Sequence, residues 1–190
     1  MEQSEQRSIA EAVILASPEP IPAARIASVI PSCSPSRARA LIEELNAEYA
    51  HQQRAFEIRE VAGGYQLRTL PEYASYLQRA QPARPLRLSP ASLETLAIVA
   101  YRQPVTRSEV EYIRGVDAGA VLRSLLERKL LRIAGHREVA GRPLLYATNR
   151  RFLEVFGLAT LDQLPALREL EELVPADSAL APVSDAEPSD

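Results

Sequence analysis

The segment AIVAYRQPVTRSEVEYIRGV (Ala97–Val116) decides the fold, because two apolar runs with helical spacing flank the turn dipeptide Gln103-Pro104. Thr106, followed three residues later by Glu109, is a capping-box pair that starts the second of the two helices. A helix, a short turn and a second helix form the beginning of a helix-turn-helix unit. The segment therefore predicts a small helical module of a kind that binds DNA or protein.

The same pattern occurs earlier in the chain. ILASPEPIPAARIASVI (Ile14–Ile30) aligns without gaps on IVAYRQPVTRSEVEYIR (Ile98–Arg114). The matched apolar and proline positions are Ile14/Ile98, Ala16/Ala100, Pro20/Pro104, Ile21/Val105, Ile26/Val110 and Val29/Ile113. A second shared stretch follows in the same order, REVAGGYQLRT (Arg59–Thr69) and REVAGRPLLYAT (Arg137–Thr148). Two shared stretches in one order predict two copies of a single module.

Each copy reads as three helices followed by a two-stranded hairpin, which is the plan of a winged helix. The third helices are predicted over Ser34–His51 and Asp117–Leu130, with Ser34 and Asp117 as N-caps. Gly63-Gly64 is predicted to be the two-residue turn of the first hairpin. We therefore expect a mainly α fold with small β-hairpins (α+β). It consists of two tandem winged-helix domains (residues 1–80 and 90–170), a stiff linker (81–89) and a disordered acidic C-terminal tail (171–190).

Helical spacing also predicts which faces of the first helices are buried. The predicted core faces are Ile9, Ala12, Val13 and Ala16 in the first copy, and Leu93, Leu96, Ala97, Ala100 and Tyr101 in the second. Ile98 would then point about 140° away from Leu93, toward solvent, with Val99 also off the core face. Ile14 and Leu15 repeat this arrangement. Such residues either pack under the linker or the other module, or form a contact surface for another protein.

The distribution of charge argues against a dedicated nucleic-acid binder. The chain has a net charge of −3, which divides into −1 over residues 1–85, +4 over 86–170 and −6 over 171–190. A balance of +4 is modest for a protein that binds nucleic acid. Cys33 is the only cysteine, so no intrachain disulfide is expected. Neither a signal peptide nor a membrane span is recognisable, and we expect a cytoplasmic protein.

No catalytic set is apparent in the sequence. Cys33, His51 and His136 are the obvious candidates for a nucleophile and a base, but they fall in a turn, at a helix end and in a wing. No phosphate-binding glycine motif occurs, and one cysteine with two separated histidines does not make a zinc site. We therefore expect neither enzymatic activity nor a cofactor or metal.

The DNA-binding alternative depends on the third helices, which read bases in helix-turn-helix proteins. The second copy places Asp117, Ala118, Gly119 and Ala120 at the start of that helix, and Arg123 only later. The third helix of the first copy carries Glu43, Glu44 and Glu48 after Arg37 and Arg39. Around the second wing, Arg132, Arg137 and Arg142 either contact a phosphate backbone or belong to a solvated hairpin. A winged-helix DNA-binding transcriptional regulator therefore stays the alternative function.

Two long stretches identify a family resemblance. LSPASLETLAIVAYRQPVTRSEVEYIRGVDAGAVLRSLLERKLL and GHREVAGRPLLYATNRRFLEVFGLATLDQLPAL closely resemble the segregation and condensation protein B (ScpB) family. The resemblance implies a non-catalytic subunit of the bacterial SMC–kleisin complex, which supports chromosome condensation and segregation. It also implies a homodimer formed largely through the N-terminal winged-helix domain, and binding to the kleisin ScpA with the C-terminal domain as a principal contact. The ATPase would be the SMC partner, reached through ScpA, and the protein would be nucleoid-associated.

By motif position, the resemblance points to six residues as kleisin contacts. They are Ile98, Tyr101, Arg102, Gln103, Arg114 and Val116. Ile98 would be the apolar anchor, and the polar residues would form a rim of hydrogen-bond donors. Whether DNA is contacted, weakly or indirectly, within the assembled complex is left open by the sequence.

Overall fold

The computed structural model describes residues 3–80 and 87–166, which we call the first and the second module. The first module contains α1 (Gln3–Ala16), α2 (Ala23–Val29), α3 (Pro35–His51), β1 (Phe56–Val61), β2 (Gly64–Thr69) and α4 (Ala74–Ala80). The second contains α5 (Pro90–Arg102), β3 (Val105–Thr106), α6 (Arg107–Arg114), α7 (Gly119–Glu127), β4 (Leu131–His136), β5 (Leu144–Thr148) and α8 (Arg150–Phe156). The predicted α+β winged-helix fold is confirmed.

Parts of the sequence-based description stay predictions. The expected tail, residues 171–190, lies outside the described residues, as do positions 81–86 of the expected linker. The domain boundaries at 80/81 and 89/90 are therefore retained as predictions. Within residues 3–80 and 87–166, no helix is long and apolar enough to cross a membrane.

The internal repeat is visible in the sheets. Ile21 forms an antiparallel bridge with Tyr65 of β2, and its repeat partner Val105 pairs in the same way with Tyr146 of β5. The second module extends this bridge into a three-stranded sheet of order β3-β5-β4, whereas β1 and β2 form a two-stranded sheet. The two residues aligned by sequence therefore occupy the same structural position.

Side-chain caps start α3, α5, α6 and α8, whereas α2 and α7 begin without one. The Ser34 hydroxyl accepts a hydrogen bond from the Arg37 amide (3.1 Å), so Ser34 is the N-cap of α3 as predicted. The predicted N-cap Asp117 is wrong, because Ala118 occupies that position of α7. The Asp117 carboxylate forms an ion pair with Arg107 and accepts the Gly119 amide (3.1 Å). Asp117 therefore lies one residue before the N-cap, and its carboxylate still accepts an amide of the first turn.

The core of the first module corrects the predicted face of α1. Ala10 and Ile14 are fully buried against α2 and α3, whereas Ala12 and Ala16 are exposed. Ile9 and Val13 of the predicted face are half-buried beside this core. Ile14 was expected off the core and is instead one of its largest buried side chains. The expected exposure of Leu15 is observed, since 67% of its surface is accessible.

The predicted face of α5 is correct for Leu96 and Ala100 but wrong for Leu93 and Ala97. The helix buries Thr95, Leu96, Val99 and Ala100, whereas Leu93 is 47% exposed and Ala97 is exposed. Tyr101 is half-buried. The reason is that Thr95 is tolerated inside the core, because its hydroxyl donates to the Ala91 carbonyl (2.8 Å) and leaves no polar group unpaired.

The turn of the first hairpin lies one residue earlier than predicted. Val61 pairs with Gly64, so Ala62 and Gly63 are the two loop residues. Both have positive φ, +51° and +70°, as a type I′ turn requires. Gly64 belongs to β2 and faces the Pro20 backbone, where a Cβ atom would come within 2.7 Å of the carbonyl carbon.

The same hairpin turn connects the two modules. The Ala62 and Gly63 amides donate to the carbonyls of Leu158 (2.8 Å) and Ala159 (3.0 Å) in the segment that follows α8. Arg68 of β2 donates to the Glu154 carbonyl (3.1 Å). The first wing therefore packs on the C-terminal end of the second module. These main-chain hydrogen bonds pair the amides of Ala62 and Gly63 with carbonyls of that segment.

Candidate partner-binding site

The six residues that the resemblance selected differ in their exposure and in their contacts. Ile98 was predicted to point toward solvent and is instead half-buried against the core of the second module, and its role as an apolar anchor stays a prediction. Tyr101 lies on one side of α5, where its hydroxyl donates to the Pro165 carbonyl (2.7 Å). Arg102 and Val116 are exposed, the latter by 56%. The other four residues are at least half-buried.

Gln103 and Arg114 make contacts within the module. The Gln103 side-chain oxygen accepts the amide (2.7 Å) and the hydroxyl (2.9 Å) of Thr148, which ties the end of α5 to β5. The Arg114 side chain is only 6% exposed, and its guanidinium donates to Glu94 at 3.0 Å. Both residue types fit a binding rim, but here their polar atoms are used to hold α5 in place.

Arg102 instead borders an open groove between α5 and α6, which we call the α5–α6 groove. Its volume is about 380 Å³, and it is lined by Arg102, Pro104, Val105, Glu109, Tyr112, Ile113 and Arg137. Val105 is buried, while Tyr112 is 89% and Ile113 49% exposed. The groove therefore combines an apolar surface with charged residues at its edge, which is the composition of protein interfaces.

The charged edge of the groove is built on the capping box of α6. Glu109 accepts the Thr106 amide (2.8 Å) and hydroxyl (2.8 Å), and it forms an ion pair with Arg137 of the wing segment (2.7 Å). The hydrogen bond from Arg137, followed by those from Thr106, lowers the pKa of Glu109 to about 2. Arg102 forms no ion pair with the described residues and is the cation of this groove that remains available to a partner.

The acidic pKa of Glu109 gives a first prediction. A carboxyl whose pKa is lowered on folding stabilises the native state above its ordinary pKa of 4.5, and this stabilisation is lost as the pH falls toward about 2. A side-chain carbonyl NMR titration is expected to place the Glu109 midpoint near 2. In Arg137→Gln the midpoint should rise toward 4.5, because the largest cause of the shift is removed. A midpoint near 4.5 in the unmodified chain would contradict the ion pair.

Tyr112 and Ile113 were missed by the sequence reasoning, although the repeat contained a signal. Ile113 is aligned with Val29, and the two are exposed to nearly the same extent, 49% and 46%. The capping box fixes where α6 begins and Val110 is its buried residue. Tyr112 follows Val110 by two positions, which places it about 200° around the helix and toward solvent.

A second groove lies on the opposite side of α5, facing α8. It has a volume of about 250 Å³ and is almost entirely apolar, lined by Leu93, Leu96, Ala97, Ala100, Tyr101, Phe152, Phe156 and Leu164. All five residues of the α5 face that was predicted to be core therefore line this groove. Leu93 and Phe156 remain 47% and 45% exposed there.

Features expected of a sequence-reading DNA-binding protein are weak at α7. Asp117 is paired with Arg107 at the start of the helix, and Ala118 is buried. Of the wing arginines, Arg137 pairs with Glu109 and Arg142 with Glu138. His51 and His136 are exposed at separate places, and the residues described in the two modules contain no group of three or more histidine, cysteine or carboxylate side chains that would hold a metal.

Comparison with known proteins assigns a family. The family model described as segregation and condensation complex subunit ScpB matches residues 8–167. The segregation and condensation protein B of Syntrophotalea carbinolica is 47% identical over 180 residues, which cover 95% of this chain and 91% of that protein. The crystal structure of ScpB from Mycobacterium tuberculosis is 32% identical, covers 83% of this chain and 98% of that chain, and superposes with a TM-score of 0.40.

A further solved structure is described as a dimer of the ScpB N-terminal domain complexed with an ScpA peptide. It is 30% identical, covers 41% of this chain and 96% of that chain, and has a TM-score of 0.38. The assignment rests on the sequence matches, which extend through both winged-helix modules. The chain belongs to the ScpB family of segregation and condensation complex subunits.

Proposed function

We propose that the chain is a non-catalytic subunit of the bacterial SMC–kleisin complex and that it binds the kleisin ScpA through the α5–α6 groove. The observation that carries this proposal is the exposed pair Tyr112 and Ile113 beside the unpaired cation Arg102. That the partner is a kleisin is inferred from membership of the ScpB family. The SMC ATPase would be reached through ScpA, in the cytoplasm at the nucleoid.

The chemistry of the groove defines the segment that it would bind. An amphipathic segment with two or three apolar side chains would cover Tyr112, Ile113 and Val105, and a carboxylate on that segment would pair with Arg102. Tyrosine and arginine are the residue types that most often dominate binding energy at interfaces. The Glu109–Arg137 ion pair forms one edge of the groove. Because the two charges are already paired, a bound segment would not leave either of them unpaired at this edge.

Titration of the full chain with its ScpA counterpart by isothermal calorimetry tests the proposal. We expect binding with a negative change in heat capacity, because apolar surface is removed from water. The absence of association, both in calorimetry and on co-purification, would show that the groove does not serve a kleisin.

A specific surface also favours pairing of two copies of the chain. Every residue of α4 is exposed, including Tyr76 (62%) and Leu77 (42%), and Tyr73 just before the helix is 36% exposed. Isolated helices shorter than about 12 residues are marginal in water. A seven-residue helix with an uncovered apolar side is therefore expected to gain its stability from a partner, and we propose that α4 of a second copy supplies it.

This surface gives a second prediction. Tyr76→Glu combined with Leu77→Glu should place like charges across the pair and convert the protein to a monomer. Light scattering after size exclusion is expected to change from twice 20.9 kDa to 20.9 kDa. Leu15→Glu, at an exposed leucine of α1, serves as the matched control and should leave the dimer intact. A dimer that survives the double change would rule out α4 as the interface.

A further inference from the structure

The end of α7 and the start of β4 form a cationic surface that the proposed function does not use. Arg123, Arg128, Lys129 and Arg132 are all exposed, and Glu127 is the only acid between them. None of the four forms an ion pair with the described residues. In contrast, ion pairs hold Arg7, Arg37, Arg59, Arg107, Arg114, Arg137, Arg142, Arg150 and Arg151. We call these four residues the α7–β4 cationic surface.

The backbone beneath this surface is held by the core. Leu122 and Leu125 are buried on the inner side of α7, and Leu130 and Leu131 are buried where β4 begins. The neighbouring strands, LRIAGH in β4 and LLYAT in β5, contain no carboxylate. The four cations therefore project from a fixed scaffold, and little nearby negative charge opposes their attraction to an anion.

The fold itself does not require positive charge at this position. The corresponding third helix of the first module, α3, carries Glu43, Glu44 and Glu48, and its Arg37 is paired with Glu44. The third helix of the first module therefore carries three carboxylates, whereas α7 carries one, Glu127, and the cations Arg128, Lys129 and Arg132 follow it. A role in folding does not explain the four cations of the second copy.

We propose that the α7–β4 cationic surface binds the phosphodiester backbone of duplex DNA without reading its sequence. Phosphate contacts need only correctly placed cations, whereas base reading needs donors and acceptors at the start of the helix. The residues at the start of α7 do not supply such groups, because Ala118 is buried and Asp117 is already paired with Arg107. None of the four cations lines the α5–α6 groove, so the two surfaces serve different ligands.

Fluorescence anisotropy of the full chain with two short duplexes of unrelated sequence tests this assignment. Four phosphate contacts predict a slope of about −3.6 in log affinity against log salt, which is a loss on the order of 100-fold between 50 and 200 mM. Both duplexes should bind equally. Lys129→Glu with Arg132→Glu should weaken binding at 50 mM by at least about tenfold.

The control variant removes the same charge elsewhere. Arg25→Glu with Arg54→Glu reverses two exposed arginines of the first module, changes the net charge by the same amount and should weaken binding less than about twofold. Equal losses in the two variants, or no binding by the unmodified chain at 50 mM salt, would overturn the proposal. The variant Lys129→Glu with Arg132→Glu should still bind ScpA. A loss of DNA binding in this variant can therefore be distinguished from a failure of the proposed function.

Lys129 also allows a test without mutation, because it is the only lysine of the chain. Acylation of its ε-amine by a lysine-selective reagent, followed by mass spectrometry, should be slowed by added duplex and restored at high salt. The N-terminal amine reports on the free reagent in the same sample. Unchanged acylation of Lys129 at saturating duplex would exclude this surface.

Discussion

Replacing Ile113 with glutamate is expected to weaken ScpA binding by roughly 100-fold, about 3 kcal/mol, while the protein stays folded. Ile113 is 49% exposed on α6 and lines the α5–α6 groove, so the free protein loses little packing when it is changed. In the complex the new carboxylate would lie among apolar groups in the groove that also contains Glu109, and it would compete with the carboxylate of the partner for Arg102. Calorimetric titration with ScpA measures the loss.

The repeat provides the matched control for this change. Val29 occupies the aligned position on α2 of the first module and is 46% exposed, so Val29→Glu introduces the same charge at an equivalent site. We expect its ScpA affinity to lie within about twofold of the unmodified chain. If the two variants lost affinity equally, the α5–α6 groove would not be the contact. If Ile113→Glu bound normally, the groove would be excluded directly.

Replacing Gly64 with alanine is expected to lower the free energy of unfolding by about 2 kcal/mol, the usual cost of overpacking. The added Cβ would come within 2.7 Å of the Pro20 carbonyl carbon and 2.9 Å of the Ile21 nitrogen, and both are backbone atoms that a rotamer change cannot relieve. The bridge between Ile21 and Tyr65, held by hydrogen bonds of 2.9 and 2.8 Å, would have to separate. Urea unfolding followed by circular dichroism measures the change.

The neighbouring glycine should behave differently. Gly63 has nothing within 4 Å of an added Cβ and a φ of +70°, a conformation in which asparagine is tolerated. Gly63→Asn should therefore cost less than about 1 kcal/mol. A greater cost for Gly63→Asn than for Gly64→Ala would contradict the close approach of Gly64 to the Pro20 backbone.

The limits of the sequence-based prediction are clearest in α5. Its sequence, PASLETLAIVAYR, is apolar on more than one side, so the helical period is apparent but its phase is not. Residues on either face satisfy the pattern. Which face is buried depends on the side chains of α7 and β5 that pack against the helix. Ile98 was predicted to point toward solvent for this reason, and it is instead half-buried beside the core. The resemblance assigned Gln103 to a partner, and nothing in the sequence indicates that its side-chain oxygen accepts two hydrogen bonds from Thr148, 45 positions away.

By contrast, the capping box, the repeat and the plan of three helices followed by a hairpin were determined by the sequence alone, because each depends on contacts between residues close in the chain or on a pattern that occurs twice, whereas β3, α4 and α8 were not predicted. Thr106 and Glu109 are three residues apart, and a cap forms whatever surrounds it. Only the tertiary structure decided which side of α5 is buried, that Gly64 faces Pro20, and that Tyr112 and Ile113 face solvent beside Arg102. These depend on packing between segments far apart in the chain, which local spacing does not encode.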